Sequence, residues 1–264
     1  VHADQVRAIV DRLEAHVRNR TPFELYRIDD RPPTLEEAYA IQAEIVARAL
    51  RSGTESIAGY KVGLTSEKMQ KFCGVAEPIA GCILSSGVHS SGVTLRRSDY
   101  HRLGIESELA LRIGKDLGPI EASTDARELI ACIDAIAAAF EVIDDRAADY
   151  ACLEASSIAA ENSWNKGIVL GAAVPPAAFG DLCGMPGRLS INGERIAEGS
   201  SSDVLGGPLS VLAWVARFVR AAGYELRPGQ WIMTGSIIPT RFPVAGDSCS
   251  FQLGTLPAVS VNIC

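Results

Sequence analysis

Glu106 and Glu108 stand two apart in the stretch Gly104-Ile105-Glu106-Ser107-Glu108-Leu109-Ala110-Leu111-Arg112-Ile113, which reads as a β-strand. Ile105, Ser107, Leu109, Leu111 and Ile113 fall on one face; Glu106, Glu108 and Ala110 fall on the other. Carboxylates so spaced point the same way, roughly 7 Å apart along the strand, and can converge on one hard cation. The same spacing also occurs on a plain solvated face. A third acid, Glu141, follows the apolar, helix-like run of residues 129–140 and opens a second short strand, Glu141-Val142-Ile143. A carboxylate at the mouth of a buried strand is unfavourable unless it is paired or coordinated.

Other candidates are less decided. Ala58-Gly59-Tyr60-Lys61-Val62-Gly63-Leu64-Thr65 is extended and glycine-flanked, and Ser66 then caps a short helix ending near Gly74. Lys61 reads either as a surface lysine on an edge strand or as a partly buried amine beside the acids. In the second case it can bind an anionic substrate or move a proton. His89 and His101 have no acid partner at recognisable spacing and read as ordinary polar residues. Asp144 and Arg146 read as a pair that orders the end of their strand.

The elements that must position these groups begin with helices. Val6, Ile9, Val10, Leu13 and Val17 share one helical face. Thr34-Leu35-Glu36-Glu37 is a capping box opening a second helix that stops near Gly53. Residues 78–99 are rich in Gly and Ser, with Gly81, Gly87 and Gly92 marking turns or a mobile loop. Asp125 caps an expected helix over residues 126–139. A strand is expected over residues 167–174, a hairpin around Asn192-Gly193, and a helix from Pro208 to a stop at Gly223. Three further strands make up the tail. A helical region over residues 1–55 and a mixed β body over residues 56–264 give an α+β class rather than a doubly wound sheet.

With 47% hydrophobic and 22% charged residues, the composition is that of a globular chain. A net charge of -7 and the lack of a dense Lys/Arg cluster argue against a nucleic-acid surface. The apolar runs are too broken to span a membrane, and the charged N-terminal segment does not read as a signal peptide. Seven cysteines without CxxC spacing fit reduced thiols in a cytoplasm and make a zinc–thiolate site a poor reading.

Taken in order, several segments resemble the 2-keto-4-pentenoate hydratase and 4-oxalocrotonate decarboxylase branch of the fumarylacetoacetate hydrolase superfamily. They are Gly59-Tyr60-Lys61-Val62-Gly63-Leu64-Thr65, Gly104-Ile105-Glu106-Ser107-Glu108, Glu141-Val142-Ile143-Asp144-Asp145-Arg146 and Asn192-Gly193-Glu194. Gly206-Gly207-Pro208-Leu209, Trp214-Val215-Ala216, Leu226-Arg227-Pro228-Gly229 and Thr234-Gly235-Ser236 extend the match through the C-terminal half. The resemblance implies a mixed β-roll or barrel body with an N-terminal helical region, assembled as a homo-oligomer. It implies one Mg²⁺ or Mn²⁺ held by Glu106, Glu108 and Glu141, an active-site lysine at Lys61, and a substrate-binding turn at Gly235-Ser236.

The activity it implies is hydration of a 2-hydroxy-2,4-dienoate to a 4-hydroxy-2-keto acid, in the catabolism of aromatic meta-cleavage products. The alternatives are a 4-oxalocrotonate-type decarboxylase or a non-catalytic partner subunit, and association with a related decarboxylase or aldolase is a further implication. A decarboxylase substrate with a second carboxylate needs a distal cation, for which Arg146 and Arg241 are the candidates. The branch's Pro-Asp-x-Gly segment is Pro78-Ile79-Ala80-Gly81 here, so a carboxylate near the substrate is replaced by Ile79.

Overall fold

The computed structural model describes residues 2–118, 124–180 and 182–264. Helices α1 (Ala3–Arg18) and α2 (Leu35–Leu50) come first. They are followed by β1 (Ile57–Gly63), α3 (Glu67–Phe72), β2 (Ile79–Leu84), β3 (Val88–Ser90), β4 (Val93–Leu95) and β5 (Leu103–Ile113). Next come α4 (Ala126–Ile130), β6 (Ile133–Asp144), α5 (Ala155–Ala160), β7 (Asn165–Leu170), β8 (Pro186–Ile191) and β9 (Glu194–Ser200). The chain closes with α6 (Pro208–Ala221), β10 (Trp231–Met233), β11 (Ile238–Arg241), β12 (Ser248–Leu253) and β13 (Val259–Ile263).

Local signals account for many of these boundaries. Thr34 accepts the Glu37 N–H while Glu37 accepts the Thr34 N–H, so both ends of the expected capping box are made. Ser66 caps α3 by accepting the Met69 N–H. Asn192 and Gly193 both take positive φ between β8 and β9, as a tight hairpin turn needs. In α1, Val6, Ile9, Val10 and Leu13 are buried as their spacing predicts, whereas Val17 is exposed.

The larger sheet has the order β2-β1-β10-β5-β6-β7-β3, with β11 also paired to β5, and the smaller has the order β4-β13-β12-β8-β9. One face of β5 and β6 packs on the smaller sheet and α6, joining Leu109, Leu111, Ile136 and Phe140 to Val215, Phe251 and Val261. On the other face, Ile83, Ala110, Ala139, Ile168 and Met233 form a separate small cluster. These come from β2, β5, β6, β7 and β10, and β2 also touches β7 although four strands separate them in the order. The sheet is therefore curled into a half-barrel, with this cluster inside the curl. Helices α1 and α2 pack through Val10, Leu13, Ala38 and Ile41 into a core shared with Ile79, Ile143, Ile158 and Trp164. Among the described residues, no helix is long and apolar enough to cross a membrane.

Two expectations are corrected here. The helix expected over residues 126–139 ends at Ile130, and residues 133–144 form one long strand in which Glu141 lies near the end rather than at the start. That strand is buried on both faces between β5 and β7, so it shows no period-two alternation. Its pairing with β5 along the whole length overrides the helix propensity of its alanines. Residues 78–99 are likewise not an open loop, since they hold β2, β3 and β4. Gly81 lies inside a strand, where a Cβ would stand 2.5 Å from the Asn162 carbonyl oxygen.

Candidate active site

The register of β5 against β6 gathers the acids. Glu106 is paired directly with Glu141, and Glu108 with Ala139, so the three carboxylates share the inner face of the curl. One oxygen from each lies within 4.8 Å of the others. Each acid is also held by a neighbour. The Thr240 hydroxyl donates to Glu106 Oε1 at 2.5 Å, and the Gly235 N–H donates to Glu108 Oε2 at 2.8 Å. Asn165 Nδ2 donates to Glu141 Oε1 at 2.9 Å, and the Lys61 ammonium sits 3.2 Å from that same oxygen.

The opposite oxygens, Glu108 Oε1 and Glu141 Oε2, are buried and have no hydrogen-bond partner among the described residues. Buried polar atoms are almost always satisfied, so two orphaned carboxylate oxygens in one acidic cluster are unfavourable as they stand. A hard divalent cation supplies the missing partner, and an all-carboxylate donor set suits Mg²⁺ or Mn²⁺ rather than a thiophilic metal. The acids therefore fit the ion that the sequence implies.

Electrostatics point the same way. Burial, reinforced by Glu141 and Glu106, pushes the Glu108 carboxyl well above its ordinary range. Burial pushes Glu141 up to about 7; Lys61 and Asn165 oppose this and Glu106 adds to it. Burial pulls the Lys61 ammonium down, but Glu141, Glu106 and Glu108 together outweigh it and raise it. Three acids against one ammonium leave the cluster short of positive charge, which a cation would correct.

Lys61 is not on an edge. Strand β1 runs between β2 and β10, and the lysine is only 4% exposed, so the buried-amine reading is the one the structure supports. A cavity of about 620 Å³ adjoins the cluster, with Lys61, Glu106, Ser236 and Thr240 among its lining residues. Gly235 has φ +102°, and a Cβ there would lie 2.5 Å from the Thr65 side chain, so only glycine brings its N–H onto Glu108. Ser236 lines the cavity with its hydroxyl donated to the Ile238 carbonyl.

Three residues of this region carried no sequence signal. Thr240 lies on β11, a strand not foreseen, and Asn165 is placed by the start of β7. Trp164 lines the cavity at the end of Asn162-Ser163-Trp164, three consecutive left-handed residues without a glycine. Such backbone is strained and persists only where neighbours hold it. Here Asn162 bonds the Cys82 N–H and C=O at 2.7 and 2.8 Å, and the Ser163 hydroxyl donates to the Ala80 carbonyl at 2.9 Å. A glycine at position 81 leaves room for this docking.

The arginines behave differently from expectation. The Arg146 side chain binds Glu161 and the carbonyls of Thr21 and Pro22, so it meets Asp144 only through its backbone N–H. Neither Arg146 nor Arg241 lines the cavity. His101 is tied through its backbone N–H to Asp144.

Residues 64–263 match the family described as fumarylacetoacetate (FAA) hydrolase C-terminal, and the chain belongs to that family. It is 30% identical to a 2-hydroxyhexa-2,4-dienoate hydratase of Comamonas testosteroni, over 87% of this chain and 86% of that one. It is 29% identical to a 2-keto-4-pentenoate hydratase of Paraburkholderia xenovorans (strain LB400), covering 81% and 78%. Among solved structures, 4-oxalocrotonate decarboxylase from Pseudomonas putida G7, complexed with magnesium and adipate, superposes with a TM-score of 0.90. That match covers 100% of this chain and 99% of the other at 26% identity.

Proposed function

We propose that the chain is a lyase that adds water to a 2-hydroxy-2,4-dienoate, giving a 4-hydroxy-2-keto acid, with Mg²⁺ or Mn²⁺ held by Glu106, Glu108 and Glu141. The observation that carries the reading is the pair of orphaned carboxylate oxygens beside a buried lysine, at the edge of a cavity. Similarity to hydratases over most of the chain supports the reaction type. When bound, the ion supplies a Lewis acid for the substrate's 1-carboxylate and 2-oxygen.

The chain's own groups do the rest. Lys61, held charged by the acids around it, donates a proton to C5 of the diene, and the proton leaving the enol oxygen passes through water to return the amine to its ammonium form. This gives a conjugated 2-oxo-3-enoate, and water then adds at C4 while C3 takes up a proton. Ser236 offers its hydroxyl oxygen to the cavity, and Gly235 fixes Glu108 from behind. Thr240 and Asn165 each hold one oxygen of an acid, which restrains how the Glu106 and Glu141 carboxylates turn.

Decarboxylation is the second reading, favoured by the decarboxylase superposition. It calls for a substrate with a second carboxylate, and no arginine lines the cavity among the described residues. Loss of the dienoate chromophore and release of CO₂, followed together, separate the two. Hydration consumes 2-hydroxypenta-2,4-dienoate without CO₂. Lys61→Met is expected to keep the metal and lose turnover, and Glu108→Ala to lose both. CO₂ release from 2-oxohex-3-enedioate matching substrate loss would place decarboxylation first, and full turnover by both variants would end the mechanism.

A further inference from the structure

The cavity is larger than a five-carbon acid requires. At about 620 Å³ it lies within the roughly 300–1,000 Å³ range of pockets that hold much bigger ligands. Its apolar wall starts beside the lysine: a point at the Cβ position of Gly63 lies 3.4 Å from Lys61 Nζ and 3.5 Å from Ile79 Cγ1. From there the wall is contiguous, because Ile79, Ile143, Leu153, Ile158 and Trp164 belong to one packed cluster and all line the cavity. Tyr150 packs on Trp164 at 6.2 Å and on Phe242 at 6.3 Å, extending the apolar surface toward solvent.

Charge is distributed against a second anion. Among the described residues, the charged ones lining the cavity are Lys61, Lys68, Glu106 and Asp203. Lys61 is already paired with Glu141, and Lys68 is exposed. Glu106 and Asp203 would repel a carboxylate. Arg102 lies over the Tyr150 and Phe242 rings but is bound to both Asp145 oxygens and to the Ala148 carbonyl. The indole Nε1 of Trp164 is buried and has no partner among the described residues. One neutral N–H can serve an oxygen of a ligand but does not offset burial of a full charge.

We propose that this wall is a subsite for a neutral, apolar chain beyond C5 of the substrate, so the site takes alkyl- or aryl-extended monocarboxylates in preference to dicarboxylates. The proposal rests on the reading above for the orientation of the acid head at the metal, but it concerns binding and can be tested without turnover. Each methylene laid on the wall is worth about fourfold in affinity.

The test is calorimetric titration of the Mg²⁺-loaded protein with saturated 2-keto acids, which cannot be hydrated. Affinity is expected to rise about three- to fourfold per carbon from 2-oxopentanoate through 2-oxohexanoate to 2-oxooctanoate. 2-Oxoadipate is expected to bind at least tenfold more weakly than 2-oxohexanoate. Ile79→Ala is expected to flatten the rise with chain length. A flat wild-type series, 2-oxoadipate binding as tightly as 2-oxohexanoate, or no 2-keto acid bound at all would each overturn the subsite. The wild-type series decides the matter even if the variant does not fold. If the trend holds but no dienoate is hydrated, the subsite stands and the hydratase reading falls.

Discussion

Replacing Glu108 by Gln separates the metal role of this residue from its structural one. Glu108 is fully buried, with one oxygen on the Gly235 N–H and the other without a partner among the described residues. Gln keeps an acceptor for the Gly235 N–H and has no charge to bury, whereas the charged form of the Glu108 carboxyl is opposed by burial and by Glu141 and Glu106. An unsatisfied buried polar group costs about 1–3 kcal/mol, more when charged. At about 2–4 °C per kcal/mol for a chain of this size, Glu108→Gln should melt roughly 2–12 °C above wild type in EDTA. Wild type should gain about 2.7 kcal/mol at a metal concentration one hundred times its Kd, and the variant almost nothing. Scanning calorimetry with EDTA, Mg²⁺ and Mn²⁺ reads both effects. A variant less stable than wild type in EDTA, or one with an undiminished metal shift, would refute the reasoning.

Other expectations follow from the same contacts. Asn165→Ala frees Glu141 to rotate and should weaken Mn²⁺ binding about 10–100-fold, measured by titration, with the fold unchanged by circular dichroism. Because the Glu141 carboxyl is raised from 4.5 to about 7, the folded protein holds a proton there that the unfolded chain does not. Its contribution to stability is complete below about pH 4.5 and is lost as pH rises through about 7 in EDTA, which pH-dependent denaturant titrations would reveal. Metal uptake should accordingly release more protons at pH 6 than at pH 8.5, seen as buffer-dependent binding heats. Gly81→Ala, whose Cβ would press 2.5 Å from the Asn162 carbonyl, should destabilise the protein by about 1–3 kcal/mol in urea titration.

The residues themselves show why part of this site was legible and part was not. Glu106 and Glu108 stand out because two acids interrupt an otherwise apolar alternation, and that pattern survives in β5. Glu141 stands out as an acid needing a partner, yet the residues before it read as a helix up to residue 139. A strand buried on both faces lacks the period that marks a strand, and alanines favour a helix until the sheet pairs them. Lys61 has two readings because a segment does not state whether it will be central or at an edge; that depends on β10, which joins it from 172 residues later (Lys61 to Met233). Asn165 and Thr240 act through positions in neighbouring strands, so no local spacing announces them. The left-handed run ending at Trp164 carries no glycine, and its stability comes from Asn162 and Ser163 docking on β2.

The most direct measurement is the product formed in ¹⁸O-labelled water. The purified protein, loaded with Mg²⁺, is given 2-hydroxypenta-2,4-dienoate, and the product is followed by ¹³C NMR. The account predicts 4-hydroxy-2-oxopentanoate with ¹⁸O at C4, formed only with metal present and not by Glu108→Ala. Unchanged dienoate, or consumption at the same rate in EDTA, would contradict it.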